Sequence, residues 1–304
     1  MSSGFTTSES VFTLSDGLEV YTKTWKPSGP AIAQAFFLHG YSDHCNAYYN
    51  FPATLASAGI ELFSFDQRGW GQTCKEDKTQ WGASGSTAQL FADIDELLLQ
   101  RVAVHPALPL FLIGHSMGGG VALTYAYAGA HRSKLAGVAV WSPMIDTAPD
   151  TRPSSLMVAA GRLAAKVFPG MKMVNRLSCE YMSRDAAVNE EFENDALCHS
   201  TGTLLGIKEM LDRGKKLQDP KIVASFPPDL PVLVMHGSGD KVTSCDESKK
   251  FVERLQVKDK LFVQYDGWYH KLHAEPGEDK QKFADDMVEW LKARCSTSMG
   301  GSKL

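Results

Sequence analysis

The residues best placed to do chemistry are Gly114-His115-Ser116-Met117-Gly118. An apolar run, Leu110-Phe111-Leu112-Ile113, precedes them and reads as a buried strand. The small residues after them read as the start of a helix. A Gly-x-Ser-x-Gly pentapeptide between a strand and a helix is a nucleophile elbow. The serine sits on a tight, strained turn that lifts its hydroxyl above the sheet. A Cβ at either glycine would collide with a neighbouring strand or helix. The helix that starts at Ser116 aims its N–H groups at any anion that develops there.

A serine hydroxyl needs a base, and the base needs a third group to hold its tautomer. At an elbow of this kind the partners follow in the order acid, then histidine. Asp240 comes after the strand-like run 231–235, and His270 after 261–265, each on a post-strand loop where such sites form. Asp246 is the rival acid, but it reads as the cap of the next helix. His273 is the rival base. Two backbone N–H groups are expected to hold the oxyanion, those of Met117 and of Tyr41 in His39-Gly40-Tyr41. His39 reads as a loop-fixing residue. His39-Gly40-Tyr41-Ser42-Asp43 also fits a His-x-x-x-Asp acyltransferase pattern, which the strand–loop context already accounts for. A serine at position 116, in place of an aspartate, directs the chemistry to acyl transfer and away from alkyl-enzyme intermediates.

The elements needed to position these groups are legible as punctuation. A hairpin is expected from 11–14 and 19–25, then strands at 35–38 and 61–65 and helices at 51–58 and 87–104. The elbow strand and helix follow, with another strand at 135–141. Residues 146–228 read as helices and loops, with helices at 154–168 and 203–217. The strand–helix alternation returns at 231–235, 246–255, 261–265 and 279–293. This predicts an α/β-hydrolase fold: a mostly parallel eight-stranded sheet flanked by helices, with a helical cap inserted after strand 6. The expected division is a core of 1–145 and 229–295, a cap of 146–228 and a flexible tail of 296–304.

The bulk numbers restrict the function. The chain has 304 residues, 43% of them hydrophobic, and a net charge of −4, so no basic surface points to nucleic acid. Its six cysteines are scattered without a CxxC pair, as expected of reduced thiols, and no metal or cofactor is expected. The N-terminus has neither the basic nor the apolar region of a secretory signal, and no stretch is long and apolar enough for a membrane span. Ser302-Lys303-Leu304 reads as a peroxisomal address for an import receptor, with a cytoplasmic or lipid-associated location as the fallback.

The sequence resembles the monoacylglycerol lipases, especially the fungal branch, over nearly its whole length. The resemblance is carried by Phe37-Leu38-His39-Gly40, Phe65-Asp66-Gln67-Arg68-Gly69-Trp70-Gly71 and the elbow through Gly120. In the cap it is carried by Ser183-Arg184-Asp185 and Asn194-Asp195-Ala196-Leu197-Cys198. It implies a triad of Ser116, Asp240 and His270, an oxyanion hole from Tyr41 and Met117, and cleavage of monoacylglycerols without metal or cofactor. Ala196 stands where the family usually has proline, and Tyr41 narrows the alcohol side. Fourteen of the cap's apolar residues, Leu156, Met157, Val158, Leu163, Val167, Phe168, Met171, Met173, Val174, Leu204, Leu205, Ile207, Met210 and Leu211, divide between a cap core holding about two thirds of them and an acyl tunnel. A cap so apolar also suggests peripheral contact with a membrane. Other readings on the same triad are a lysophospholipase, a carboxylesterase, an acyl-CoA thioesterase and a slow-turnover ligand receptor. A thioesterase needs positive charge at the mouth, for which Lys75, Lys78, Arg152 and Arg184 are the candidates.

Overall fold

The structure, a computed structural model, describes residues 4–295. Ser302, Lys303 and Leu304 lie outside the described residues. Strands β1 (Phe5–Thr13) and β2 (Glu19–Pro27) form an antiparallel hairpin. Next come β3 (Ala33–Leu38), α1 (Phe51–Ser57), β4 (Ile60–Phe65), α2 (Thr87–Val104), β5 (Leu110–His115), α3 (Ser116–Ala128) and β6 (Leu135–Trp141). After the insertion the sheet resumes with β9 (Val232–Gly237), α8 (Cys245–Arg254), β10 (Lys260–Tyr265) and α9 (Asp279–Cys295). The eight strands lie in the order β1-β2-β4-β3-β5-β6-β9-β10, and every pairing from β4 onward is parallel.

Why the central strands are mostly apolar on both faces follows from their place. On β3, Ala33, Ala35 and Phe37 pack on one face, and Phe36 and Leu38 on the other. On β5, Phe111 and Ile113 join the first set, and Leu110 and Leu112 the second. A parallel sheet covered by helices on both sides buries both faces, so the usual alternation with polar residues disappears. Helix α2 closes over one face and begins where the Ser86 hydroxyl accepts the Gln89 N–H at 3.2 Å, a cap worth about 1 kcal/mol.

Between β6 and β9 lie α4 (Ser155–Val167), β7 (Lys172–Val174), α5 (Ala186–Asn194), β8 (Thr201–Thr203), α6 (Leu204–Leu217) and α7 (Pro220–Val223). The insertion is not purely helical, because β7 and β8 pair antiparallel through three residues each. Three-residue strands carry no periodic signal, and the side chains of β7 are exposed, so nothing in the pattern marks them. Likewise β1 starts at Phe5, well before residue 11, because an edge strand with exposed polar side chains lacks the apolar alternation of a buried one.

Candidate active site

Four loops at the carboxyl ends of β3, β5, β9 and β10 converge, as expected for ligand sites in parallel sheets. Ser116 holds φ at +52°, a left-handed conformation that strains a serine. Crowding explains the flanking glycines. A Cβ at Gly118 would lie 2.1 Å from Leu38 O, and one at Gly114 would lie 2.5 Å from Gly118 O. Gly40 passes close enough that its Cβ would stand 3.3 Å from Ser116 Cβ. The Tyr41 N–H, next in line, has no hydrogen-bond acceptor among the described residues. The Met117 N–H lies in the first turn of α3, where helix geometry leaves donors unpaired. The Ser116 hydroxyl also makes no hydrogen bond among the described residues, and Ser116 lines a cavity beneath the cap.

Asp240 and His270 are brought together. His270 Nδ1 lies 2.8 Å from Asp240 Oδ2, and both side chains are buried. Asp240 is held from several sides. Its Oδ1 accepts the N–H groups of Val242 at 2.7 Å and Thr243 at 3.0 Å. Its Oδ2 accepts the Thr243 hydroxyl at 2.8 Å and lies 3.0 Å from His236 Nε2. Burial alone would raise the pKa of Asp240. The charges and hydrogen bonds of His270 and His236 outweigh it and keep the carboxyl well below its usual range. With Asp240 ionised, His270 Nδ1 is the donor and Nε2 is left free to accept a proton.

The rivals lie elsewhere. His273 Nδ1 accepts the Trp141 indole N–H at 3.1 Å, and its ring stacks on Tyr48 at 4.4 Å. Burial pushes its pKa well down. Asp246 is exposed in the first turn of α8 and is not the helix cap; the Ser244 hydroxyl is, accepting the Glu247 N–H at 3.2 Å. His39 fixes its loop: Nε2 accepts the Gln67 N–H at 2.9 Å while Nδ1 donates to Gly40 O at 2.8 Å.

With this geometry in view, likenesses to known proteins are informative. Residues 29–277 match the serine aminopeptidase S33 family. A Schizosaccharomyces pombe protein assigned as a monoglyceride lipase is 39% identical over 274 residues, 90% of this chain and 71% of that one. The chain belongs to the monoglyceride lipase family. The Saccharomyces cerevisiae monoglyceride lipase is 28% identical, across 87% of this chain and 86% of its own. The crystal structure of a soluble variant of monoglyceride lipase from Saccharomyces cerevisiae, in complex with a substrate analog, matches with a TM-score of 0.88 and 26% identity, covering 95% of each chain. The fold is thus that of an α/β-hydrolase, in a family of carboxylic ester hydrolases.

In this family member the cavity at Ser116 measures about 760 Å³, in the range of sites that enclose a small ligand. Met157, Val158, Met171, Met173, Ile207, Met210 and Leu211 line it. The cap core is built from residues other than the fourteen named above. Of those only Leu204 is buried, and Leu156, Leu163, Val167 and Phe168 face solvent, whereas Met182, Val188, Phe192 and Leu217 are buried. The cations at the cavity are Arg162, Arg176, Lys208 and Lys241. Lys75, Lys78, Arg152 and Arg184 do not line it; Arg152 pairs with Asp146 and Arg184 with Glu275. The two cap motifs serve as anchors. The Ser183 hydroxyl donates to Ala274 O at 2.8 Å and Arg184 Nε to Glu275 Oε2 at 2.7 Å, which holds the histidine loop. His44 Nε2 lies 2.8 Å from Asp195 Oδ2 on the other side. These two and Cys198 place ligand atoms within 4.8 Å of one another, but the histidine and the carboxylate already satisfy each other. His236 escapes a sequence reading that looks only for a triad. Its signal is a polar residue ending the otherwise apolar run of β9.

Proposed function

We propose that the chain cleaves monoacylglycerols to fatty acid and glycerol through an acyl-enzyme on Ser116. The observation that carries this reading is an elbow serine lining one apolar cavity, in a chain whose Asp240–His270 pair is already assembled. His270 Nε2 takes the Ser116 proton as Oγ bonds to the ester carbonyl carbon. The N–H groups of Tyr41 and Met117 hold the resulting oxyanion. Collapse breaks the ester C–O bond, and His270 passes its proton to the glycerol oxygen. A water molecule then repeats the sequence, His270 again serving as base, and frees the fatty acid and Ser116.

A second reading has support from the cavity rim. Neither Arg176 nor Lys241 has a carboxylate partner among the described residues, and no Asp or Glu lines the cavity. That favours single-chain acyl esters or thioesters with an anionic head, such as lysophospholipids or acyl-CoA. One panel separates the readings: monoacylglycerols of increasing chain length, triacylglycerols, lysophosphatidylglycerol, acyl-CoAs and short nitrophenyl esters. The proposed function requires kcat/KM to rise with chain length, by up to about fourfold per buried CH₂ at ~0.8 kcal/mol each. Triacylglycerols should be poor, and Ser116→Ala should lower kcat by about 10³-fold or more in a folded protein. Faster turnover of the anionic substrates would replace monoacylglycerols with them. Binding without turnover would mean a receptor. The Ser302-Lys303-Leu304 sequence supports a peroxisomal location and an import receptor as partner; puncta from a fusion carrying its fluorescent protein at the N-terminus would bear on it, and diffuse signal would oppose it.

A further inference from the structure

The proposed chemistry needs two loops in register. Residues 39–43 carry the Tyr41 N–H, and residues 269–275 carry His270. They leave strands β3 and β10, which three other strands separate in the sheet, so no ladder ties one to the other. A buried ion pair does. Lys271 Nζ lies 3.1 Å from Asp43 Oδ2, with the two side chains 4% and 2% exposed. Asp43 Oδ2 also accepts the Tyr48 hydroxyl at 3.1 Å. That hydroxyl in turn accepts the Gly40 N–H at 3.0 Å and lies 3.0 Å from His115 Nδ1. The contacts therefore run unbroken from the residue after His270 to the residue before Tyr41.

The cap closes over this bridge. Lys271 Nζ sits 4.6 Å from the centre of the Phe192 ring on α5, and the Lys271 backbone N–H donates to Met182 O at 2.7 Å. The Ser42 hydroxyl donates to Cys198 O at 2.9 Å. Neither Asp43 nor Lys271 lines the cavity. Burying an ion pair seldom stabilises a fold more than apolar residues of like size would. Among the described residues no other hydrogen bond or ion pair joins these two loops, and that placement gives the pair a use.

The geometry points to Asp43 and Lys271 as positioning residues that fix the oxyanion-hole backbone relative to His270. The inference rests on the roles proposed above for His270 and Tyr41. Misplacing such groups by about 1 Å costs on the order of 100-fold in rate with little effect on binding. Removing one charge alone would leave the other buried and unpaired, so the decisive variant is the neutral double substitution Asp43→Asn/Lys271→Met. Its kcat, counted per serine titrated by a fluorophosphonate, should fall about 10- to 100-fold while KM stays within about twofold. Tyr48→Phe, which removes the relay without touching charge, should lower kcat about 3- to 10-fold, and it decides the matter if the double variant does not fold. Asp229→Asn/Lys258→Met, at an exposed pair, is the control and should retain wild-type kcat. Wild-type kcat per titrated serine in Tyr48→Phe, or in a folded double variant, would overturn the positioning role while leaving the function proposed above intact. A wild-type protein that neither turns over esters nor labels at Ser116 would overturn that function and this inference together.

Discussion

His270 and His273 lie three residues apart on one loop, and their partners distinguish them. His270 meets Asp240, whereas His273 accepts the Trp141 indole and stacks on Tyr48. The expected outcome is that His270→Ala loses about 10³-fold or more in kcat, because the serine proton has no acceptor. His273→Gln keeps an acceptor for Trp141 and should stay within about threefold of wild type, with the change appearing in the melting temperature instead. Steady-state kinetics beside thermal melts check both, and the reverse pattern would make His273 the base. The positions of Ser116, Asp240 and His270 are readable in the sequence because each follows a strand-like run, fully buried in β5 and β9 and half-exposed at the sheet edge in β10. Tyr48, Asp43 and Lys271 are not readable in this way. A buried tyrosine or lysine has no local signature, and its partners are distant in sequence. Only tertiary contact shows that Lys271 faces Asp43.

At the scale of elements, the seam between cap and core is held partly by aromatic stacking. The His199 ring lies between Trp70, at 4.7 Å and 10°, and Trp81, at 4.5 Å and 3°. Its Nε2 lies 3.1 Å from Gly69 O, and Trp70 packs against Tyr41. Burial is the main cause that pushes the His199 pKa down from its ordinary 6.5 to about 4. The fold therefore prefers neutral His199, while the unfolded chain takes up a proton near pH 6.5. The stability gained is complete above pH 6.5 and is lost as pH falls from there to about 4, at about 1.4 kcal/mol per pH unit, roughly 3 kcal/mol in all. His199→Phe keeps the stack and removes the titration, so its melting temperature should fall less than that of the wild type over this window. Equal falls would mean that other groups, such as the buried His115 and His273, carry the acid sensitivity. The helices at this seam were unevenly legible. α6 declares itself by its apolar periodicity. α5, Ala186–Asn194, is nine mostly polar residues burying only Val188 and Phe192, too little pattern to mark a helix. Its importance lies in what it covers.

For the whole molecule, the unusual surface is on α4. Counting along the helix, Met157, Ala160, Gly161 and Ala164 fall on one face and line the cavity. Leu156, Leu163 and Val167 fall on another, and Phe168 follows. These four are 79%, 67%, 62% and 59% exposed. The spacings i, i+7 and i+11 put the first three in one stripe, so the helix is apolar toward both the cavity and the solvent. An apolar stripe in water is costly unless something covers it. We propose that a lipid surface does, because a single-chain ester resides there and the stripe shares a helix with the cavity wall. No helix among the described residues is long and apolar enough to cross a membrane, so such contact would be peripheral. Charged residues at two positions of the stripe, Leu163→Asp/Val167→Asp, remove apolar burial worth about 2 kcal/mol and should weaken binding to phosphatidylcholine vesicles by about 30-fold. Turnover of a short soluble ester should be unchanged, while turnover of a monoacylglycerol presented in those vesicles should fall with the binding. Vesicle flotation at equal protein concentration measures the first effect, and assays with the two substrates measure the second. If the variant floats as well as the wild type, α4 does not meet the lipid. If both activities drop together, the charges have damaged the cavity wall instead.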